Sequence, residues 1–140
     1  MRTIDKIILH CSATREGQDF SVKDIDAWHK QRGWRSVGYH YVIKLDGTIQ
    51  QGRPVEEIGA HVTGQNAHSI GICYIGGLDK NGNPKDTRTP QQKESLLKLL
   101  KMLHKRFPKA TIHGHREFAA KDCPCFFVQK DEDIMRVFKS

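Results

Sequence analysis

The sequence contains no long hydrophobic run. Its N-terminus passes from Met1-Arg2 to the polar Thr3 and Asp5, and the apolar stretch Ile7-Ile8-Leu9 is far too short for a signal-peptide core or a membrane span. The expectation is synthesis in the cytoplasm, no export signal and no membrane insertion. Cysteine is sparse: the four residues at 11, 73, 123 and 125 show no secreted-framework spacing, and a chain of 140 residues does not need disulfide staples. They are read as reduced at synthesis. Paired Cys-x-x-Cys finger spacing is missing, as is a basic helix with interleaved aromatics, so no nucleic-acid partner is expected. There is no internal repeat, low-complexity run or linker.

What is present fits one ordinary domain over residues 1–140, taken as a monomer. With 37% hydrophobic residues, 28% charged residues and twelve scattered glycines, the composition is that of an α/β or α+β protein and excludes disorder and fibres. A formal charge of +7 favours an anionic partner, which could be nucleic acid, a membrane surface or an anionic cell-wall polymer. Charge alone does not choose among these.

Residues 4–10 (IDKIILH) read as a buried strand that delivers His10 to a loop-built site. Ser21 with Asp24 opens a helix over roughly 22–32, with Val22, Ile25 and Trp28 at helical spacing and Gly33 as its stop. Alternating apolar residues around Asp46-Gly47 predict a tight primed hairpin with strands near 39–45 and 48–52. The turn-rich stretch 54–69 carries His61, Asn66 and His68, with Gly59 and Gly64 permitting close backbone approach. A buried strand follows over 69–75, then an exposed loop over 76–88. Thr89-Pro90-Gln91-Gln92 caps a long helix ending before Pro108, whose apolar face is Leu96, Leu97, Leu99, Leu100, Leu103 and Phe107. A short strand at 110–113 leads to His115, and a last helix near 131–138 buries Ile134, Met135 and Phe138.

Three separated residues carry the chemistry. His10 leaves one strand, while His115 and Cys123 lie eight apart across the segment HREFAAKDCP. Two imidazoles and one thiolate form a three-ligand zinc set with a fourth position open for water, the pattern of catalytic rather than structural zinc. Lys121, two positions before Cys123, can bring a cation to negative charge developing on a carbonyl oxygen. Tyr39 can offer a phenol for hydrogen bonding or proton transfer, although spacing alone favours a rim or core aromatic there. Glu117 is close enough in the chain to be a general base, or to sit behind the ligands.

The segments IILHCSAT, IDAWHKQRGW, GYHYVIKLDGTI, GAHVTGQNAHSIGIC, TPQQ and HREFAAKDCP, in that order and covering nearly the whole chain, resemble the zinc-dependent N-acetylmuramoyl-L-alanine amidases of the peptidoglycan-recognition superfamily. The likeness is greatest to the short amidase-type lysozymes of bacteriophages. It implies a mixed, antiparallel-containing β-sheet flanked by helices, with a groove that holds one zinc ion, and peptidoglycan as partner. Residue by residue, it implies that His10, His115 and Cys123 ligate the metal and that Tyr39 and Lys121 act in catalysis. His61 and Asn66 fall in the groove-lining loop as substrate contacts, whereas His29 and His40 are structural and Trp28 and Trp34 pack the first helix.

The implied reaction is hydrolysis of the amide between N-acetylmuramic acid and L-alanine, reached through a separate membrane lesion because no export signal is seen. A cytosolic muropeptide-recycling amidase and a non-catalytic peptidoglycan-binding module are the alternatives; the latter would be expected to have lost the cysteine ligand. The chain departs from the family pattern at Cys125, where a small residue usually follows the Cys-Pro pair, and a thiol there could be a ligand, a site of oxidation or inert.

Overall fold

A computed structural model describes residues 2–139. Among the described residues, seven strands and three α-helices follow in order: β1 (Lys6–Cys11), β2 (Thr14–Arg15), α1 (Val22–Gln31), β3 (Tyr41–Ile43), β4 (Ile49–Gln51), β5 (Ser69–Tyr74), β6 (Gly77–Leu78), α2 (Pro90–Arg106), β7 (Thr111–Gly114) and α3 (Glu132–Lys139). The main sheet has the order β4-β3-β5-β1-β7. Antiparallel pairing is confined to β3 with β4; the β3–β5, β5–β1 and β1–β7 ladders are parallel. The architecture is therefore mixed α/β, and no described helix is long and apolar enough to cross a membrane.

Residue alternation along the central strands sets the two faces. In β1, Ile7, Leu9 and Cys11 join a core with Ile70, Ile72 and Tyr74 of β5, beneath Leu96, Leu99, Leu100 and Leu103 of α2 and Ile134 and Val137 of α3. Cys73, Ile75 and Val42 point the other way, against Ile25 of α1. His10 falls between Leu9 and Cys11, so the period of two turns it away from the α2 layer. Strands flanked by helices on both sides read as continuous apolar runs, and every residue of β5 is buried.

The caps form as the sequence requires. The Ser21 backbone N–H donates to Asp24 Oδ2 (2.8 Å), and Gly33 ends the turn after α1 at a left-handed φ of +86°. Thr89 Oγ1 accepts from the Gln92 backbone N–H at 3.0 Å, and the Gln92 side chain returns to the Thr89 N–H at 2.9 Å. That same fully buried Gln92 also donates through Nε2 to the carbonyls of Ile43 (3.2 Å) and Ile75 (2.9 Å), pinning α2 across two neighbouring strands.

Three expectations change. The hairpin is not a two-residue primed turn: Lys44 pairs with Thr48, Gly47 N–H donates back to Lys44 O, and only Gly47 takes a positive φ (+90°), which is a three-residue loop with a glycine bulge. The strands are accordingly shorter, three residues each. The 76–88 loop is not wholly exposed, because β6 forms a small parallel sheet with β2 and buries Gly76 and Gly77. In α3, Val137 takes the deep position three residues after Ile134, while Met135 and Phe138 are only partly buried at its margins.

Leu100 is fully buried at the centre of the α2 contact. Leu100→Ala is expected to lower unfolding free energy by about 2–5 kcal/mol in urea titration, and a loss below about 1 kcal/mol would show that this layer does not carry the core.

Candidate metal centre

The main sheet brings three donors from distant parts of the chain to one point. One donor atom each from His10, His115 and Cys123 lies within 4.8 Å of the other two. His10 arrives on β1, and β7, paired beside it, ends at Gly114 and releases His115 into a short 3-10 turn (His115–Glu117). Cys123 returns from the following loop, where the Arg116 N–H donates to Cys123 O (2.8 Å) and Tyr74 Oη donates to Pro124 O (2.7 Å).

His10 is 1% exposed, so both ring nitrogens need partners. Its Nδ1 faces Cys123 Sγ at 3.9 Å, and its Nε2 lies 2.9 Å from His61 Nδ1. His61 Nε2 in turn lies 3.1 Å from Ser69 Oγ. The row can run in either direction; the direction that leaves the lone pair of His10 Nδ1 facing Cys123 and His115 has His10 Nε2–H donating to His61 Nδ1 and His61 Nε2–H donating to Ser69 Oγ, and it is the one a metal at this point requires. A ligand histidine whose far nitrogen is held by a buried acceptor is the arrangement seen at metal sites.

Room for His61 comes from Gly71 on β5: a Cβ there would stand 2.7 Å from His61 Cγ. Asn66 Oδ1 accepts from the backbone N–H groups of His61 and Val62, both at 2.9 Å, and so folds the loop that carries the ring. Both residues line a groove of about 420 Å³ together with Arg32, Trp34, His115, Phe118 and Lys121. Their hydrogen bonds give them a positioning duty besides any contact with substrate.

Electrostatics keep the imidazoles neutral. Burial, then the neighbouring His61, His115 and Lys121, hold His10 well below the usual histidine range; burial and Lys121 lower His115. The Tyr39 ring lies 5.0 Å from that of His10, and burial, with the nearby thiols adding, raises its phenol well above its ordinary value. Tyr39 is therefore a hydrogen-bond donor at neutral pH. Lys121 is exposed on the groove wall.

Other candidates are placed elsewhere. Both Glu117 oxygens are engaged, Oε1 with His113 Nδ1 (2.8 Å) and Oε2 with Gly114 N–H (2.6 Å) and Gln129 Nε2 (2.9 Å), so it staples the turn rather than facing the donors. Arg116 stacks over Phe127 at 4.0 Å. His29 Nδ1 accepts from Gly38 N–H and His40 Nδ1 from Gly71 N–H, which makes both structural. Trp28 packs on Phe20, but Trp34 is 36% exposed, stacked on His29 and open to the groove. Arg32, Trp34 and Phe118 line the groove although the sequence reading gives none of them that role; an aromatic just beyond a helix-ending glycine is the available signal for Trp34.

The donor set fits zinc in its chemistry, two nitrogens and one sulfur with no carboxylate among them, and its spacings, 3.9 Å from His10 Nδ1 to Cys123 Sγ and no more than 4.8 Å overall, are somewhat wider than the roughly 3.5 Å of ligands about 2.0–2.3 Å from one ion. Nearby, Cys11 N–H donates to Cys123 Sγ at 3.2 Å, and Cys125 Sγ lies 3.8 Å from Cys11 Sγ. Its bond to Cys123, with burial, pushes the Cys11 thiol up to about 12, and the Cys125 thiol is raised by its bond to Cys11 and by burial.

Comparison with known proteins agrees with this geometry. Residues 1–126 match the family described as N-acetylmuramoyl-L-alanine amidase. An endolysin of Enterobacteria phage K11 is 44% identical over 125 residues, 89% of this chain and 83% of the phage protein. An endolysin of Escherichia phage T7 is 43% identical over 126 residues, 90% and 83% of the two chains. Among solved structures, the N-acetylmuramoyl-L-alanine amidase LysC from Clostridium intestinale superposes with a TM-score of 0.82 at 30% identity, covering 97% of this chain and 86% of LysC.

Two outcomes test the site's scaffold. Gly71→Ala drives a Cβ into the His61 ring and is expected to cost about 1–3 kcal/mol in urea unfolding; an unchanged midpoint would mean that the ring is free to move. Burial, with Arg2 and Arg53 adding, lowers His40 from 6.5 to about 4. The unfolded chain therefore takes up this proton first, so the stability is whole above about pH 6.5 and drains as pH falls towards about 4, by up to about 1.4 kcal/mol per pH unit. Urea midpoints that stay level from pH 7 to 4.5 would contradict it.

Proposed function

This chain belongs to the N-acetylmuramoyl-L-alanine amidase family, and from that premise we propose that it is a zinc-dependent enzyme in which His10, His115 and Cys123 hold the metal while Tyr39 and Lys121 serve the reacting carbonyl. It hydrolyses the amide that joins N-acetylmuramic acid to L-alanine in peptidoglycan. The observation that carries the zinc reading is the convergence of two neutral imidazoles and one thiol on a point beside the groove, which His115 lines.

Lewis acidity at that point, polarising a carbonyl and lowering the pKa of water, is what zinc supplies when bound. The protein's own groups do the rest. With His10 Nε2–H donating into the His61–Ser69 row, His10 Nδ1 is unprotonated and offers its lone pair as a ligand. Lys121 places a cation where the amide oxygen gains charge, which stabilises the tetrahedral oxyanion. Tyr39, protonated at neutral pH, donates a hydrogen bond to the same developing charge or passes its proton to the leaving amine. Trp34 and Phe118 give the groove apolar surface for the sugar and peptide flanking the scissile bond. The net positive charge suits an anionic wall, which the enzyme reaches after release through a membrane lesion.

The test is elemental analysis of purified protein combined with dye release from labelled peptidoglycan. Wild type is expected to carry about one zinc per chain and to liberate new L-alanine amino termini, while Cys123→Ser loses both. Lys121→Ala and Tyr39→Phe keep the zinc but lower kcat by about 10²-fold or more. Full activity in Lys121→Ala would remove it from the reaction. A wild type that binds sugar-peptide fragments, holds no zinc and cuts nothing would be a recognition module instead.

A further inference from the structure

The mechanism leaves the second thiol of Cys123-Pro124-Cys125 unused. Cys125 Sγ lies 3.8 Å from Cys11 Sγ, and Cys11 is the last residue of β1, immediately after His10. Two features set these sulfurs beside each other. Gly77, at a φ of +104°, leaves a gap that both occupy, because a Cβ on it would stand 2.5 Å from Cys11 Sγ and 3.6 Å from Cys125 Sγ. Cys125 itself sits at a φ of +70°, a left-handed conformation that glycine adopts without steric cost and a cysteine does not. Access is asymmetric as well: Cys11 is buried, whereas Cys125 is half-buried and reachable from solvent.

We infer that Cys11 and Cys125 form a redox-active dithiol, a modification site for small disulfide oxidants of the oxidised-glutathione class. Cys125, as its thiolate, attacks one sulfur of the oxidant, forming a mixed disulfide and expelling one glutathione thiolate, which is protonated. Cys11 then attacks Cys125 Sγ, the mixed disulfide breaks, and the second glutathione leaves. The two protein thiols lose two electrons and two protons, and the oxidant disulfide gains both. The sulfurs need to close from 3.8 Å to the roughly 2.05 Å of an S–S bond, a shift of under about 2 Å. Cys123 is the wrong partner for either, since its sulfur accepts the Cys11 N–H and faces His10. The product ties the strand that carries His10 to the loop that carries Cys123 and leaves the three metal donors unmodified.

The experiment treats zinc-loaded wild type, Cys125→Gly and Cys11→Ser with oxidised glutathione at mildly alkaline pH, where thiol–disulfide exchange in general runs faster. Remaining thiols are then blocked, and the protein is mapped by non-reducing peptide mass spectrometry. Wild type is expected to lose the mass of two hydrogens and two titratable thiols, to join the Cys11 peptide to the Cys125 peptide, and to melt several degrees higher until reductant is added. Cys11→Ser stops at a glutathione adduct on Cys125. Cys125→Gly folds, forms no crosslink and melts above untreated wild type, because glycine relieves the left-handed strain. A stable glutathione adduct on wild type, a crosslink through Cys73 or Cys123, or no loss of thiols would overturn the inference. Zinc is counted in the same samples before oxidation, so a wild type that takes up no zinc and still forms the crosslink would sink the metal assignment and leave the dithiol standing.

Discussion

A buried imidazole must satisfy two nitrogens, and the structure around His10 is organised by that requirement. One nitrogen faces the other donors; the second needs an acceptor where water does not reach. His61 provides it, and each feature that places His61 follows: a strand glycine where its ring presses, a Ser69 hydroxyl behind it, and an asparagine that gathers the loop. Without the chain of three, the far nitrogen of His10 would be buried with no partner; with it, the proton can sit at Nε2 and leave the Nδ1 lone pair towards Cys123 and His115.

The other side of the site is held by main-chain contacts and one ion-pair cluster. Glu117 closes the turn after β7, Tyr74 grips the carbonyl of Pro124, and the Arg88 guanidinium bonds Asp131 at 2.9 Å while lying 3.6 Å over the Phe126 ring. These contacts fix a loop with little regular structure. They also explain why a carboxylate so near the ligands in sequence takes no part in the chemistry: its lone pairs are already spent on the turn.

How much was legible in the chain differs by kind of interaction. Helix caps at Ser21 and Thr89 and the periodic face of α2 are local, and they form where the residues indicate. The convergence of His10, His115 and Cys123 was legible because imidazole and thiolate at strand exits suggest one chemistry, and the likeness of ordered segments to a family pointed to those three positions. Three features were not, because each depends on a distant partner. The loop at Gly47 is held by Ser95 Oγ donating to Gly47 O (2.6 Å) where a Cβ would meet Gln91, the β2–β6 sheet joins segments more than sixty residues apart, and the pairing of Cys11 with Cys125 spans nearly the whole chain. Gly71 is instructive: inside a strand it reads as a weakness until the ring that needs its space is known.

The parallel ladders have a consequence for the order in which the protein becomes competent. The strand bearing the first donor cannot complete its pairing until β5 and then β7 have been made, and the third donor lies 113 residues after the first. Such non-local topology folds slowly, because chain closure is paid for before the contacts that reward it exist. The donors therefore cannot converge in a partly synthesised chain, and an ion that binds only the finished arrangement draws the last folding step towards completion by mass action. A wall-cutting enzyme built in this way is inert for most of its own translation.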